Sequence, residues 1–165
     1  MSEINYKVID NFLPKDVFLN LKKHLLSDSF SWFYNTTVAY KGVEDKEKSI
    51  YFTHLFFNII NNSEAFILVK DILEKIDLKS IIRVKANLYP KTNKLIVHDN
   101  HVDFKFKHKG LIYYINTNNG LTILKNKIKI KSIENRALFF EPHIEHCSTT
   151  CTDEKIRVNI NFNYF

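Results

Sequence analysis

From residue 80 to the end of the 165-residue chain, short apolar runs follow one another, and no other feature limits the fold as strongly. IIRVKANLYP, HVDFKF, LIYYINT, LTILKN, KIKIKSI, RALFFEP and RVNINFNYF are rich in β-branched and aromatic residues, the pattern of short strands. Asn118-Asn119-Gly120 and Lys125-Asn126 supply turn signals between them. Gly and Pro are scarce, three of each, while Phe, Tyr, Ile and Val abound, which favours strands over a disordered chain.

The first 79 residues read differently. INYKVI (4–9) has strand character. In DNFLPKDVFLNLKKHLLSDS, Pro14 suits a first helical turn, and Phe18, Leu21, Leu25 and Leu26 recur at the spacing of an amphipathic helix. SWFYNTTVAY (31–40) reads as extended and KGVEDKEKS as a solvated loop. SIYFTHLFFNII (49–60) fits a strand or a buried helix, which periodicity does not separate. NSEAFILVKDILEKIDLK predicts a second helix with Asn62 or Ser63 as its N-cap. Two helices followed by many strands point to one α+β domain over residues 1–165. Residues 1–79 would supply a strand and supporting helices, and 80–165 a jelly-roll-like double sheet.

The length suffices for one domain with a real core. The apolar runs are too short and too polar to span a bilayer, and MSEINYKVIDNF has no basic-then-apolar export pattern. A soluble cytoplasmic protein with no membrane partner is the expectation. The net charge of +6 admits a nucleic-acid or anionic-substrate surface, although the lysines are spread along the sequence. Cys147 and Cys151 read as two free thiols, since a zinc half-site would need a second pair.

The chemistry concentrates in HDNHVDFKFKHKG (98–110) and in the last two runs. Strand residues two apart share a face, so His101 and Asp103 would converge. An imidazole nitrogen and a carboxylate oxygen are two of the three ligands of a 2-His-1-carboxylate Fe(II) site. His146 lies 43 residues past Asp103, far enough for the chain to return on an opposing sheet. Arg157 follows 11 residues later inside RVNINF. An arginine facing inward from a strand is costly unless it meets an anion, and its fork suits a carboxylate. A dicarboxylate cosubstrate, one end on the metal and the other on Arg157, accounts for both features.

The order His-Val-Asp, His, Arg resembles the iron(II)- and 2-oxoglutarate-dependent oxygenases, in particular their prolyl-hydroxylase branch. NLYP (87–90) is similar to that family's Tyr-Pro strand end, LIYYIN (111–116) to its Tyr-Tyr-Leu-Asn strand, and NGLTIL (119–124) to its Gly-Gly-x-Thr turn and strand. NRALFFEPHIEHCSTTCTDEKIRVNINF (135–162) resembles the closing strands, and VIDNFLP the entry to small phage-encoded members. The resemblance implies a double-stranded β-helix with Fe(II) on His101, Asp103 and His146. It implies 2-oxoglutarate held by Arg157, with Tyr89 and Tyr114 donating hydrogen bonds, and O2 as oxidant. The product side would be succinate, CO2 and a hydroxylated C–H bond. Asn87 enters as a cosubstrate contact through the Asn-x-Tyr pattern of the nucleic-acid dealkylating branch. Two positions depart from the family: Asn159 stands where many members have Ser or Thr, and Leu121 where Gly is usual.

The remaining candidates carry bland readings beside the functional ones. His98 reads as a loop residue or a substrate contact, and His108 as a solvated loop residue or a contact to an anionic substrate. His143 rivals His146, which the spacing to Arg157 favours. His24 and His54 read as surface or packing residues. Of Tyr113 and Tyr114, only one can face the pocket, and a register slip would exchange them. Thr149, Thr150 and Cys147 read as a connecting loop or as pocket lining. Lys105, Lys107 and Lys109 beside Phe104 and Phe106 fit a lysine-protected strand edge or a grip on single-stranded nucleic acid. The prime substrate stays open between a protein side chain such as proline, a small molecule and a nucleobase, with the prolyl-hydroxylase-like pieces tilting toward the first. Oligomeric state is not legible. The competing functions are a non-catalytic jelly-roll binding module, a cupin-type site for another metal and a nucleic-acid dealkylating oxygenase.

Overall fold

The closing run IRVNINFNY alternates with period two, and that alternation divides the molecule. In the computed structural model, which describes residues 5–36, 50–60 and 62–165, it forms strand β10 (Ile156–Tyr164). Val158, Ile160 and Phe162 point to one face and are fully buried; Arg157, Asn159, Asn161 and Asn163 point to the other. β10 pairs antiparallel with β4 (Ile81–Pro90) and β5 (Lys109–Tyr114). Asn159 therefore stands opposite Asn87 and Tyr114, and Arg157 opposite Tyr89.

The remaining elements complete two antiparallel sheets. They are β1 (Lys7–Ile9), α1 (Lys15–Leu25), β2 (Phe33–Asn35), β3 (Tyr51–Asn58), α2 (Lys70–Leu73), β6 (Asn118–Leu124), β7 (Ile128–Ser132), β8 (Arg136–Phe140) and β9 (His146–Ser148). The larger sheet runs β1-β8-β5-β10-β4-β3-β2 and the smaller β7-β6-β9. On the apolar face of the larger sheet, Val84, Ala86, Leu111, Tyr113, Val158 and Ile160 share a core with Phe18, Leu21 and Leu25 of α1 and with Val69 and Ile72. A second cluster joins Ile112, Tyr114, Leu138 and Phe140 to Leu124 and Ile130 of the smaller sheet. This is the expected α+β architecture, a double sheet buttressed on one side by helices, and the polar face of β10 and β4 looks into the space between the sheets. No helix among the described residues is long and apolar enough to cross a membrane.

Asn135 ties the helical layer to this frame. At φ 57° it lies in the left-handed region, and its side-chain oxygen accepts from Leu13 N–H (2.9 Å) and the Tyr113 hydroxyl (2.6 Å). Its Nδ2 donates to the Leu13 carbonyl at 2.9 Å. The approach to α1 is thus pinned to the strand that carries the site.

Four sequence expectations are corrected. HVDFKF is not a strand: only His101 makes a ladder contact, an isolated bridge to His146, and residues 102–108 bend away. The expected second helix is a 3-10 helix (Glu64–Val69) followed by the single turn of α2, although Ser63 does cap it by accepting from Ala65 N–H. The packed side chains Phe66, Val69 and Ile72 are three apart, the repeat of the tighter helix. Asn118-Asn119-Gly120 does not separate strands but opens β6, where the register shifts against β7 between Asn118 and Leu121. Leu26, expected on the buried helical stripe, is the exposed C-cap of α1. SIYFTHLFFNII resolves to a strand, β3. The loop reading of KGVEDKEKS, the start of INYKVI and the end of SWFYNTTVAY fall outside the described residues.

Candidate metal centre and anion pocket

One ligand atom each from His101, Asp103 and His146 lie within 4.8 Å of one another, close enough for a single ion to touch all three. The backbone arranges this. His101 N–H donates to the His146 carbonyl at 2.9 Å and His146 N–H to the His101 carbonyl at 3.0 Å, which fixes the two rings side by side, centroids 4.6 Å apart. Asp103 N–H donates to the Pro142 carbonyl at 2.9 Å, so the third ligand hangs from the loop before β9. That loop lies against Gly110, where a Cβ would sit 2.6 Å from Pro142 Cγ.

The ring nitrogens are oriented as metal ligands require. His101 Nδ1 donates to the Asp99 carbonyl at 3.3 Å and His146 Nδ1 to the Ile144 carbonyl at 3.0 Å. A carbonyl only accepts, so the proton sits on Nδ1 and leaves the Nε2 lone pair for an ion. Burial holds His146 below its ordinary pKa, which keeps that lone pair available. Asp103 is fastened through both oxygens: Oδ1 accepts from Arg83 Nη2 at 3.0 Å and Oδ2 from Asn161 Nδ2 at 2.9 Å. Burial alone would raise its pKa, but Arg83, His146 and Asn161 hold the carboxyl below the usual range, so it remains anionic.

Further along β10, Arg157 is completely buried. Its Nε donates to Ser132 Oγ at 2.9 Å, Nη2 to Thr122 Oγ1 at 3.2 Å and Nη1 to the Thr149 carbonyl at 3.3 Å. Among the described residues no carboxylate pairs with it. A buried guanidinium held only by neutral oxygens is an incomplete arrangement, because desolvating its charge is costly without a counter-ion. Gly120 makes the position possible: a Cβ there would collide with Arg157 Cδ and come within 2.8 Å of the Thr150 carbonyl.

Aromatic side chains wall this pocket. The guanidinium lies 5.2 Å from the Tyr89 ring centroid, and Tyr89 is stacked between Tyr51 (5.7 Å, 13°) and His98 (5.2 Å, 27°). The Tyr114 hydroxyl donates to Thr122 Oγ1 at 2.8 Å, the same oxygen that Arg157 meets. Burial raises the pKa of both Tyr89 and Tyr114, so each keeps its phenolic proton. His98, buried and 2.8 Å from Ser148 Oγ, is pushed down to about 4 by burial and by Arg157, and stays neutral. Asn87 Nδ2 donates to Asn159 Oδ1 at 3.1 Å across the strand pair.

His101, Asp103 and His146 are therefore brought together, and Arg157, Tyr89, Tyr114 and His98 gather in a second group on the same inter-sheet space. His143 is not in the metal cluster; its ring lies 6.3 Å from that of His108. Tyr113 faces the helices, so Tyr114 is the inward one of the pair. His98 lies on irregular chain as expected, though buried and packed on Tyr89. The solvated reading of His108 fails, since it is 4% exposed, its nitrogens 2.8 Å from the Phe106 carbonyl and 2.9 Å from Asn163 Oδ1. His54 is a packing residue between Ser31 and Ser63, and His24 is exposed, as expected. Thr149 does line the Arg157 pocket, and both cysteines are free thiols. Lys105 and Lys107 lie on a bent segment and guard no strand edge; Lys109 opens β5. Arg83 and Asn161 escaped the sequence reading, yet period two was a usable signal. Arg83 shares the face of Asn87 and Tyr89, and Asn161 that of Arg157 and Asn159.

No family model and no curated protein matches this sequence. Solved structures do match its fold. A viral collagen prolyl hydroxylase from Paramecium bursaria Chlorella virus-1, solved with 2-oxoglutarate, aligns at TM-score 0.59 and 17% identity over 96% of this chain and 93% of its own. A prolyl hydroxylase from Trichoplax adhaerens, solved with a hypoxia inducible factor peptide, aligns at 0.64 and 15% over 97% and 83%. HygX from Streptomyces hygroscopicus, solved with nickel and 2-oxoglutarate, aligns at 0.64 and 7% over 98% and 82%. The chain has the fold of the 2-oxoglutarate- and Fe(II)-dependent oxygenases.

Proposed function

We propose that this chain is an Fe(II)- and 2-oxoglutarate-dependent oxygenase that hydroxylates a C–H bond. The observation that carries the reading is the pairing, in one inter-sheet space, of a three-ligand metal cluster with a buried arginine that lacks a counter-ion. A degenerate binding module of the same fold has no use for either. A cupin-type metal site accounts for the cluster but leaves Arg157 unexplained.

His101, Asp103 and His146 hold the metal; two histidines and one carboxylate leave coordination positions open for other ligands. Arg157 takes the distal carboxylate of 2-oxoglutarate through its fork, Tyr89 donates a hydrogen bond to the same group, and Tyr114 does so by turning its hydroxyl away from Thr122 Oγ1. Asn87 and Asn159 line the path between the two ends. When bound, Fe(II), 2-oxoglutarate and O2 together supply the oxidation: one oxygen atom enters the substrate C–H bond, the other leaves in succinate, and CO2 is released. The protein's part is geometric. Arg83 and Asn161 fix Asp103, the Asp99 and Ile144 carbonyls fix the two imidazoles, and Tyr51 and His98 hold Tyr89 against the guanidinium.

The pieces resembling prolyl hydroxylases all belong to the metal and cosubstrate pocket, so they speak for the cosubstrate and little for the prime substrate. A protein side chain such as proline is favoured by that resemblance alone. Oxidative demethylation of a nucleobase would use the same two sites.

Succinate formation from 2-oxoglutarate with added Fe(II) under air tests the proposal. Wild type should form succinate in proportion to enzyme, and His101→Ala should fall to the level of free iron. Equal succinate from both would remove the metal centre from the account.

A further inference from the structure

Lysines that are spread along the sequence converge in space. A cavity of about 790 Å3 opens on the β1–β8–β5 side of the larger sheet, and Lys7, Lys75, Lys79, Lys107 and Lys109 all line it. Its two acidic residues are already engaged: Asp77 lies 2.8 Å from Lys109 Nζ, and Glu141 lies 3.9 Å from that of Lys107. Asp77 also feels the charge of Lys79, and Lys75 Nζ lies 5.6 Å from the Phe12 ring centroid, but five lysines face two carboxylates, so the cavity carries an excess of positive charge.

The same opening presents aromatic faces. Phe104 stacks on Phe106 (5.3 Å, 24°) and Phe106 on Phe165 (5.8 Å, 23°), and Phe165 lines the cavity. Phe106 and Phe165 remain 47% and 43% exposed, and because Phe106 lies between the other two rings, the free face of the row is that of Phe165. The row starts at the metal site: Arg83, which holds Asp103, also lies 5.0 Å from the Phe104 ring centroid. An exposed ring face beside an excess of ammonium groups suits a ligand of planar rings strung on anions. An acidic peptide would satisfy the lysines but leave the ring faces unused.

We propose that this surface binds single-stranded nucleic acid, a base stacking on Phe165 and phosphates meeting Lys7, Lys75 and Lys79. A strand held there would run up to Asp103. That last step, which makes the strand the prime substrate, rests on the oxygenase reading; binding itself does not and needs no metal.

Fluorescence anisotropy of the full chain with labelled dT10, across a salt series, tests the proposal. Saturable binding is expected, weaker for the corresponding duplex and absent for poly-glutamate of matched charge. Phe165→Ala should weaken it roughly 5- to 150-fold, the range for losing one base–aromatic stack, without changing the salt slope. Lys75→Gln with Lys79→Gln should instead flatten the slope of log affinity against log salt by roughly 0.7 per lysine. All these positions are exposed, so folding is checked by an unchanged thermal melt. The proposal is overturned if dT10 does not bind, if poly-glutamate or duplex binds equally well, or if Phe165→Ala binds like wild type. Failure here with retained succinate formation would dismiss the surface and leave the oxygenase reading intact.

Discussion

At the scale of single residues, the site depends on groups whose neighbours leave them little freedom. Arg157 is seated by three neutral oxygens and by the missing side chain at Gly120. Gly120→Ala should therefore push the guanidinium off its seat. In a calorimetric titration we expect 2-oxoglutarate affinity to fall at least about tenfold, roughly 1.4 kcal/mol, while metal affinity stays unchanged. Equal loss of both would mean that the substitution disturbs the whole smaller sheet. His98 offers a pH test. Its folded pKa is about 4 against 6.5 ordinarily, because burial and Arg157 both disfavour its charge. The unfolded chain thus takes up this proton near pH 6.5, whereas the folded protein resists until about pH 4. Stability contributed by neutral His98 is present above 6.5 and is lost as the pH falls across that window. The shift corresponds to roughly 3 kcal/mol. Urea melts of wild type and His98→Gln between pH 7 and 4 should diverge by that order, the variant losing less; parallel curves would show that His98 does not titrate in this way.

At the scale of elements, strand alternation made the site, and it was the most legible part of the sequence. RVNINFNY alternates between an apolar face for the helices and a polar face for the gap between sheets, and IIRVKANLYP does the same; Arg157, Asn87 and Tyr89 were picked out from these runs, while Arg83 and Asn161 on the same faces were not. Tyr114 over Tyr113 followed from register, which only the pairing with β10 and β8 fixes. HVDFKF (101–106) was misread because its residues have strand propensity but lack strand partners; a carbonyl of Pro142 and a bridge to His146 hold it in place of a ladder. Local composition cannot report such long-range bonds. The 3-10 helix at Glu64–Val69 was missed for the opposite reason, its threefold packing repeat being close to the α-helical one. Asn161 on β10 gives the element-scale prediction. Asn161→Leu removes the hydrogen bond to Asp103 Oδ2 and should weaken metal binding about 10- to 100-fold, as loss of a ligand's supporting contact does. Competition against a metal-sensitive dye measures it, and an undiminished affinity would show that Arg83 suffices.

At the scale of the whole molecule, the larger sheet separates two environments: helices and apolar packing on one face, charge and hydrogen bonds on the other. The fold and the grouping of His101, Asp103 and His146 were both readable in advance, through a resemblance carried by His-Val-Asp and a His 11 residues before an arginine. The convergence of lysines from three distant segments on one cavity was not readable, since sequence separation hides it. The central claim is that metal and anion sites are separate ends of one cosubstrate pocket. Its most direct test is anaerobic titration of the full chain with Fe(II) and then with 2-oxoglutarate, for wild type and Arg157→Met. The account predicts one Fe(II) per chain in both proteins, and 2-oxoglutarate binding that weakens in the variant by about 2–5 kcal/mol, the cost of removing one partner of a buried charge pair. Unchanged 2-oxoglutarate affinity in Arg157→Met, or loss of Fe(II) along with it, would contradict the account.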